Sequence, residues 1–221
     1  ELKTLDLSII GDKNSSGQLE ILANSITVLS KLKDFSLSRQ ESKNLTDNEI
    51  GEGMTSLRKL PGLTSLVIDF DRCSGLIGSF LSEVWKVSTD SFNLEKLSLK
   101  YNGIINNEIS FVPSFRENVP KMKKLKYFDL YLNQCETFTG SAWKQLFESL
   151  RNLNIETLHF DLGRTKITEI ELLNLMDSVL TLKKLVRLDI NIGGSKINRT
   201  PNLDQVTKRL KHIPYSIFVK C

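Results

Sequence analysis

Apolar residues along this chain keep returning in one short pattern, L-x-x-L-x-L. It reads Leu2/Leu5/Leu7, Leu32/Phe35/Leu37, Leu63/Leu66/Ile68, Leu94/Leu97/Leu99, Leu125/Phe128/Leu130, Ile155/Leu158/Phe160 and Leu185/Leu188/Ile190. Successive copies start 30 or 31 residues apart. Within a copy, apolar and polar residues alternate, which predicts a strand with one buried face. Between copies the spacing is helical: Ile21, Leu22, Ile26 and Leu29; Trp143, Leu146, Phe147 and Leu150; Leu172, Leu175, Met176, Val179 and Leu180. Turn-forming stretches such as Gly11-Asp12-Lys13-Asn14-Ser15-Ser16 and Gly193-Gly194-Ser195 join strand to helix. One unit is therefore strand, loop, helix and return turn. No unit can bury its own apolar face, so neighbours must stack.

The expected fold is α/β, with a parallel sheet on one side and helices on the other. Seven full units and a partial eighth should form one domain over residues 1–221, with the eighth strand starting at Tyr215 and Phe218 in its second apolar slot. Residue 2 already fills a strand slot with no polar cover before it, so the expectation is a piece of a longer protein whose open end at Leu2, Leu5 and Leu7 is a possible interface.

Two copies extend the pattern further. Leu94-Glu95-Lys96-Leu97-Ser98-Leu99-Lys100-Tyr101-Asn102-Gly103-Ile104 and Leu125-Lys126-Tyr127-Phe128-Asp129-Leu130-Tyr131-Leu132-Asn133-Gln134-Cys135 both read L-x-x-L-x-L-x-x-N-x-(L/I/C). This resembles the leucine-rich-repeat family across the whole chain, and the period is similar to that of its ribonuclease-inhibitor type. The resemblance implies a horseshoe solenoid with strands lining the concave face and helices the convex one. The phrase Glu49-Ile50-Gly51-Glu52-Gly53-Met54, with Leu57 and Leu60-Pro61-Gly62-Leu63, is similar to the leucine-rich-repeat families of ciliates. That likeness implies attachment to kinase-like segments or a place in ciliary assemblies. The chain departs from the family at the ninth position, which is Ile10, Gln40, Asp71, Gly163 and Gly193 outside the two asparagines, so an unbroken asparagine ladder is not expected. Pro113 and Pro120 predict a short helix between Phe111 and Met122, with Pro113 in its first turn.

Charge and cysteine narrow the function classes. Thirty basic against 26 acidic residues leave a formal charge of +4, too little alone to argue for nucleic acid. Cys73, Cys135 and Cys221 have neither disulfide-framework nor zinc-site spacing, so an intracellular, reducing compartment is the simpler reading. The tripeptides starting at Asn14, Asn44 and Asn198 fit the glycosylation pattern, which an asparagine-rich chain also produces by chance. No run approaches the ~20 apolar residues of a membrane span, and no signal or transit peptide is visible. The expected place is cytoplasmic or cytoskeletal, with a ciliary one implied by the resemblance.

The strand pattern also predicts which side chains leave the sheet. The third slot gives Lys96, Tyr127, Thr157 and Arg187; the fifth Asp6, Ser36, Val67, Ser98, Asp129, His159 and Asp189; the seventh Ser8, Ser38, Asp69, Lys100, Tyr131, Asp161 and Asn191. Tyr127, Asp129, Tyr131, His159, Asp161, Arg187, Asp189 and Asn191 thus gather on the last three full units. Rigid aromatic area with oriented charge suits a protein-binding surface, and its acidic character predicts a basic partner. Lys31, Arg58, Lys59, Lys121, Lys123, Lys124, Lys183, Lys184, Lys208, Arg209 and Lys211 recur before successive strands and should line one edge near helix C-termini. There they would favour the helix dipole, or meet RNA phosphates or an acidic protein surface. Chemistry is thinly supplied: His159 sits among carboxylates, but no serine or cysteine nucleophile shares its face and no phosphate-binding glycine loop occurs. Trp85, Trp143, Cys73 and Cys135 read as core, and His212 as solvated. The resulting expectation is a non-catalytic scaffold for protein partners within a larger assembly, with no cofactor and no small-molecule substrate. An RNA-binding component and the regulatory repeats of a larger enzyme are the alternatives.

Overall fold

Eight strands run in chain order through a single all-parallel sheet: β1 (Thr4–Ile10), β2 (Asp34–Gln40), β3 (Ser65–Asp69), β4 (Lys96–Lys100), β5 (Tyr127–Tyr131), β6 (Thr157–Asp161), β7 (Arg187–Asn191) and β8 (Tyr215–Lys220). This is a computed structural model that describes residues 2–10, 25–90, 93–103, 108–151, 153–195, 197, 208, 210 and 215–220. The strands are stitched by α1 (Asp47–Leu57), α2 (Leu81–Asp90), α3 (Glu108–Asn118), α4 (Gly140–Glu148) and α5 (Glu169–Val179), each packed on the next. The protein is thus α/β. The predicted helical positions Ile21 and Leu22 lie outside the described residues, as does most of the segment between β7 and β8.

Register follows the apolar pattern. Leu5, Phe35, Leu66, Leu97, Phe128, Leu158 and Leu188 pair across seven strands. So do Leu7, Leu37, Ile68, Leu99, Leu130, Phe160 and Ile190. From β2 to β7 all of these are buried in one continuous core, while Leu5 and Leu7 pack against its end half-covered. The eighth strand departs from expectation. A bulge follows Tyr215, so Ile217 rather than Phe218 pairs with Leu188. One extra residue there shifts every later partner by one.

Each unit passes hydrogen bonds to the next at both ends of its strand. The carbonyls of Lys3, Lys33, Thr64, Glu95, Lys126 and Glu156 each accept two successive N–H groups of the following unit, such as those of Lys126 and Tyr127 on Glu95. At the far end the chain turns through a left-handed residue at Glu41, Arg72, Gly103, Gln134, Arg164 and Gly194, with φ between 52° and 74°. Their spacing is again 30 or 31 residues. The non-glycine members hold a conformation that costs an L-residue roughly 1–2 kcal/mol. Ladder bonds offset that cost: the N–H groups of Glu41, Arg72, Gly103, Gln134 and Arg164 donate to Asp71, Asn102, Asn133, Gly163 and Gly193 carbonyls.

The helices start where side chains satisfy their first N–H groups. Thr46 and Thr168 each form a capping box, with Glu49 and Glu171 respectively. Thr139 caps α4 through the Ala142 N–H at 3.4 Å. The expected apolar stripes face the core: Trp143, Leu146, Phe147 and Leu150 are buried, as are Leu172, Leu175, Met176 and Val179. Trp85 is enclosed edge-on by Phe111 and Phe115, at 5.7 and 5.0 Å between ring centroids. Cys73 and Cys135 are buried too. Their thiols donate to the carbonyls of Arg39 (2.9 Å) and Tyr101 (3.3 Å), each 34 residues earlier. Burial pushes the Cys73 thiol above its ordinary range.

Two positions run against the pattern. Pro113 is the sixth residue of an 11-residue helix, not part of its first turn. It lies on the exposed face, where water can solvate the backbone carbonyl its ring leaves unpaired, and its neighbours Phe111 and Phe115 anchor the opposite face. Arg39 is 2% exposed in an inward slot that later units fill with Phe70, Tyr101, Leu132, Leu162 and Ile192.

Candidate functional site

The open face of β4 to β7 carries three rows of side chains, set by register. Lys96, Tyr127, Thr157 and Arg187 form the first row; Ser98, Asp129, His159 and Asp189 the second; Lys100, Tyr131, Asp161 and Asn191 the third. Neighbouring strands lie about 4.8 Å apart, so Tyr127 and Arg187 stand roughly 10 Å from each other across Thr157. The small threonine between two long side chains opens a recess. Its volume is about 500 Å³, and Lys96, Tyr127, Asp129, Tyr131, Thr157, His159, Arg187 and Asp189 line it.

The recess has a defined polar structure. His159 Nδ1 lies 3.2 Å from Asp189 Oδ2. The imidazole packs against the Tyr131 ring at 4.6 Å, and the Lys100 ammonium stands over the same ring, 5.5 Å from its centroid. Lys100 is in turn held by Asp69 at 3.2 Å. Burial holds the Asp129 carboxyl above the usual carboxylate range, opposed by His159, Lys96, a hydrogen bond from Ser98 and Arg187. Burial, and then the charges of Asp129, Asp161, Asp189 and Asp69, keep the Tyr131 phenol above its ordinary value. Tyr127 is 43% exposed and forms the rim.

Six of the eight expected open-face residues therefore meet in one place: Tyr127, Asp129, Tyr131, His159, Arg187 and Asp189. Lys96 joins them, although the sequence-drawn cluster began one unit later; its pairing with Tyr127 was implicit in the shared slot. With Lys96 and Arg187 at the rim the recess is mixed in charge rather than simply acidic.

Asp161 and Asn191 belong to a different network. Asp161 Oδ1 accepts from the Gly163 N–H (3.1 Å), from Asn191 Nδ2 (2.9 Å) and from Asn133 Nδ2 (3.3 Å). Asn191 Oδ1 accepts from the Gly193 N–H at 3.0 Å. Asp69 does the same for Asp71 at 3.2 Å. In the two units whose ninth residue is asparagine, the side chain works from that position, and Asn102 Oδ1 takes the Asn133 N–H at 2.8 Å. Where the ninth position lacks asparagine, an Asp or Asn two residues earlier satisfies the corner instead, at β3, β6 and β7. The ladder is continued by a substitute, which the sequence reading missed. Gly163 is required by it: a Cβ there would stand 2.6 Å from Asn133 Nδ2 and 3.0 Å from the Gly193 carbonyl.

The basic residues Lys31, Arg58, Lys59, Lys121, Lys123, Lys124, Lys183, Lys184 and Lys208 are exposed, and all but Lys208 lie in the connections leading into strands; Arg209 and Lys211 fall outside the described residues. Of those in the connections, Lys121 ends the 3-10 helix Val119–Lys121, and the others follow the helices rather than sit in their last turns, which in α1, α2, α4 and α5 hold no basic residue. Acidic and amide groups interrupt the stripe. Lys121 pairs with Glu117 at 3.2 Å, Lys124 donates to Asn93 at 2.6 Å, and Lys126 pairs with Glu95 at 2.8 Å. The hydrogen bond to Glu95 holds the Lys126 ammonium above its ordinary value.

A larger recess of about 790 Å³ lies on the helix side between α1 and α2, lined by residues such as Asp47, Glu52, Phe80 and Glu83. Its carboxylates are already engaged. Asp47 accepts from the Ile77 and Phe80 N–H groups, Glu52 from Asn48, and Glu83 from Lys86. Among the described residues no group of three His, Cys, Asp or Glu side chains could hold a metal ion, and no helix is long and apolar enough to cross a membrane. Compared with known proteins, the chain matches no family model and no curated protein.

Proposed function

We propose that the chain is a leucine-rich-repeat solenoid of the ribonuclease-inhibitor-like type, and that it works as a non-catalytic scaffold holding a protein partner against its open sheet face, within a larger intracellular assembly. The repeat reading is supported by strand register, corner geometry and apolar pattern sharing one period. The observation that carries the functional reading is the recess over Thr157. There a half-exposed tyrosine, a second tyrosine packed on His159, two cations and two carboxylates converge on one small residue. Aromatic and arginine side chains around a desolvated centre are what protein interfaces use for affinity. His159 with Asp189 resembles half of a nucleophilic triad, but Ser98, the serine of that row, stands two strands from His159 and is engaged with Asp129. Fold alone would not choose among functions, so the reading rests on the site.

The test is affinity purification from the native source with four baits. Partner recovery with wild-type protein, lost with Thr157→Trp or Tyr127→Ala and kept with Lys123→Glu plus Lys184→Glu, is the expected result. Recovery that ignores the open-face changes and collapses with the lysine reversals, with steep salt dependence, would instead assign binding to the basic edge and to nucleic acid.

A further inference from the structure

We infer that the recess over Thr157 receives one lysine or arginine side chain from a protein segment whose neighbouring residues are acidic. The inference rests on the open-face reading above and deepens it by naming what enters. The most demanding group in the recess is Asp129. Its carboxylate is half-buried, Ser98 is its hydrogen-bond donor, and among the described residues no cation stands within ion-pair distance of it. A carboxylate already drawn out of water gains more from an arriving cation than a solvated one does, because its desolvation has been met by the fold. Asp189, by contrast, is occupied by His159. The walls favour the same occupant. The 43% exposed Tyr127 and Tyr131 line the same recess, and the Tyr131 ring already carries one ammonium, that of Lys100.

The rim sets what flanks the entering cation. Lys96 and Arg187 are exposed, have no ion-pair partner among the described residues, and bracket the recess from β4 and β7. Three strand spacings separate their backbones by about 14 Å. An acidic residue on either side of the inserted cation meets one of them, whereas a polybasic segment is repelled by both. The floor thus selects for one positive charge and the rim against several. The helix-side recess offers no such asymmetry, since each of its carboxylates already has a donor.

The test uses the full chain and three synthetic peptides of equal length: one lysine between two glutamates, the same backbone with three lysines, and one with three glutamates. Fluorescence anisotropy at a fixed salt concentration should rank the mixed peptide tightest by about tenfold. Asp129→Asn should weaken it by roughly tenfold without loss of folding, because the amide is isosteric and removes a carboxylate that burial disfavours. Lys96→Glu with Arg187→Glu should transfer the preference to the three-lysine peptide. Equal binding of the three peptides, or binding indifferent to Asp129→Asn, overturns the inference. Tightest binding of the three-glutamate peptide that is still lost on Tyr127→Ala overturns the cation as occupant and leaves the open-face scaffold standing. Peptide binding that survives Thr157→Trp removes both.

Discussion

The first three strands and β5 to β7 share one backbone and differ in what they show to water. Under both, apolar residues pair in the same register and the same carbonyl accepts two N–H groups from the next unit. On the open face, β1 to β3 present Asp6, Ser36 and Val67 in the row where β5 to β7 present Asp129, His159 and Asp189. The fold needs nothing in these slots beyond compatibility with a strand. Whatever distinguishes the two regions is therefore free to vary without cost to the architecture. That freedom is why the recess is informative: large aromatic and charged side chains stand where serine would have sufficed.

The largest expected effects lie beneath the face and should be alike in both regions. Phe35→Ala and Phe128→Ala each remove a buried ring and should cost about 3–5 kcal/mol in urea unfolding. A loss below about 1 kcal/mol at either would mean that the shared core is not shared. Next comes the corner at Gly163, in the second region. Gly163→Ala sets a methyl against Asn133 Nδ2 and the Gly193 carbonyl, for about 1–3 kcal/mol. Adding Asn133→Ser should recover part of that loss, since the closest of the three tight contacts disappears; no recovery would refute the packing of Asn133 against Gly163. On the open face itself, Lys96→Ser, Tyr127→Ser and Arg187→Ser together should stay within roughly 1 kcal/mol of the wild type.

The smallest effect is one of sign. The Asp129 carboxyl is raised in the fold, so its contribution to stability is present when protonated and is lost as pH rises through the folded value. Asp129→Asn should unfold at higher urea than the wild type at neutral pH and lose that advantage as pH falls through the carboxylate range. Stability gained where peptide affinity is lost would mark the group as kept for binding rather than for folding.

Much of this was legible because the repeat constrains it. Leu97, Phe128, Leu158 and Leu188 follow one slot, and their adjacency needed only the period. The grouping of Tyr127, His159 and Arg187 followed from the same arithmetic. What escaped was chemistry that one residue performs for another. Asp161 and Asn191 look like surface groups by slot, and only their distances to Gly163 and Gly193 show them closing corners. Glu41, Arg72, Gln134 and Arg164 carry no sequence mark of a left-handed backbone, because ladder bonds rather than side-chain preference hold them there. Pro113 was misplaced because its tolerance depends on which face of the helix meets water.

The thiols of Cys73 and Cys135 each reach back across one junction between units, to Arg39 and Tyr101. A junction that parts exposes its own sulfur and not the other, so the molecule contains two separate clocks of local opening. With Cys221→Ser in place, the two labelling rates under a thiol reagent would tell whether the sheet comes apart from one end, from the middle or all at once.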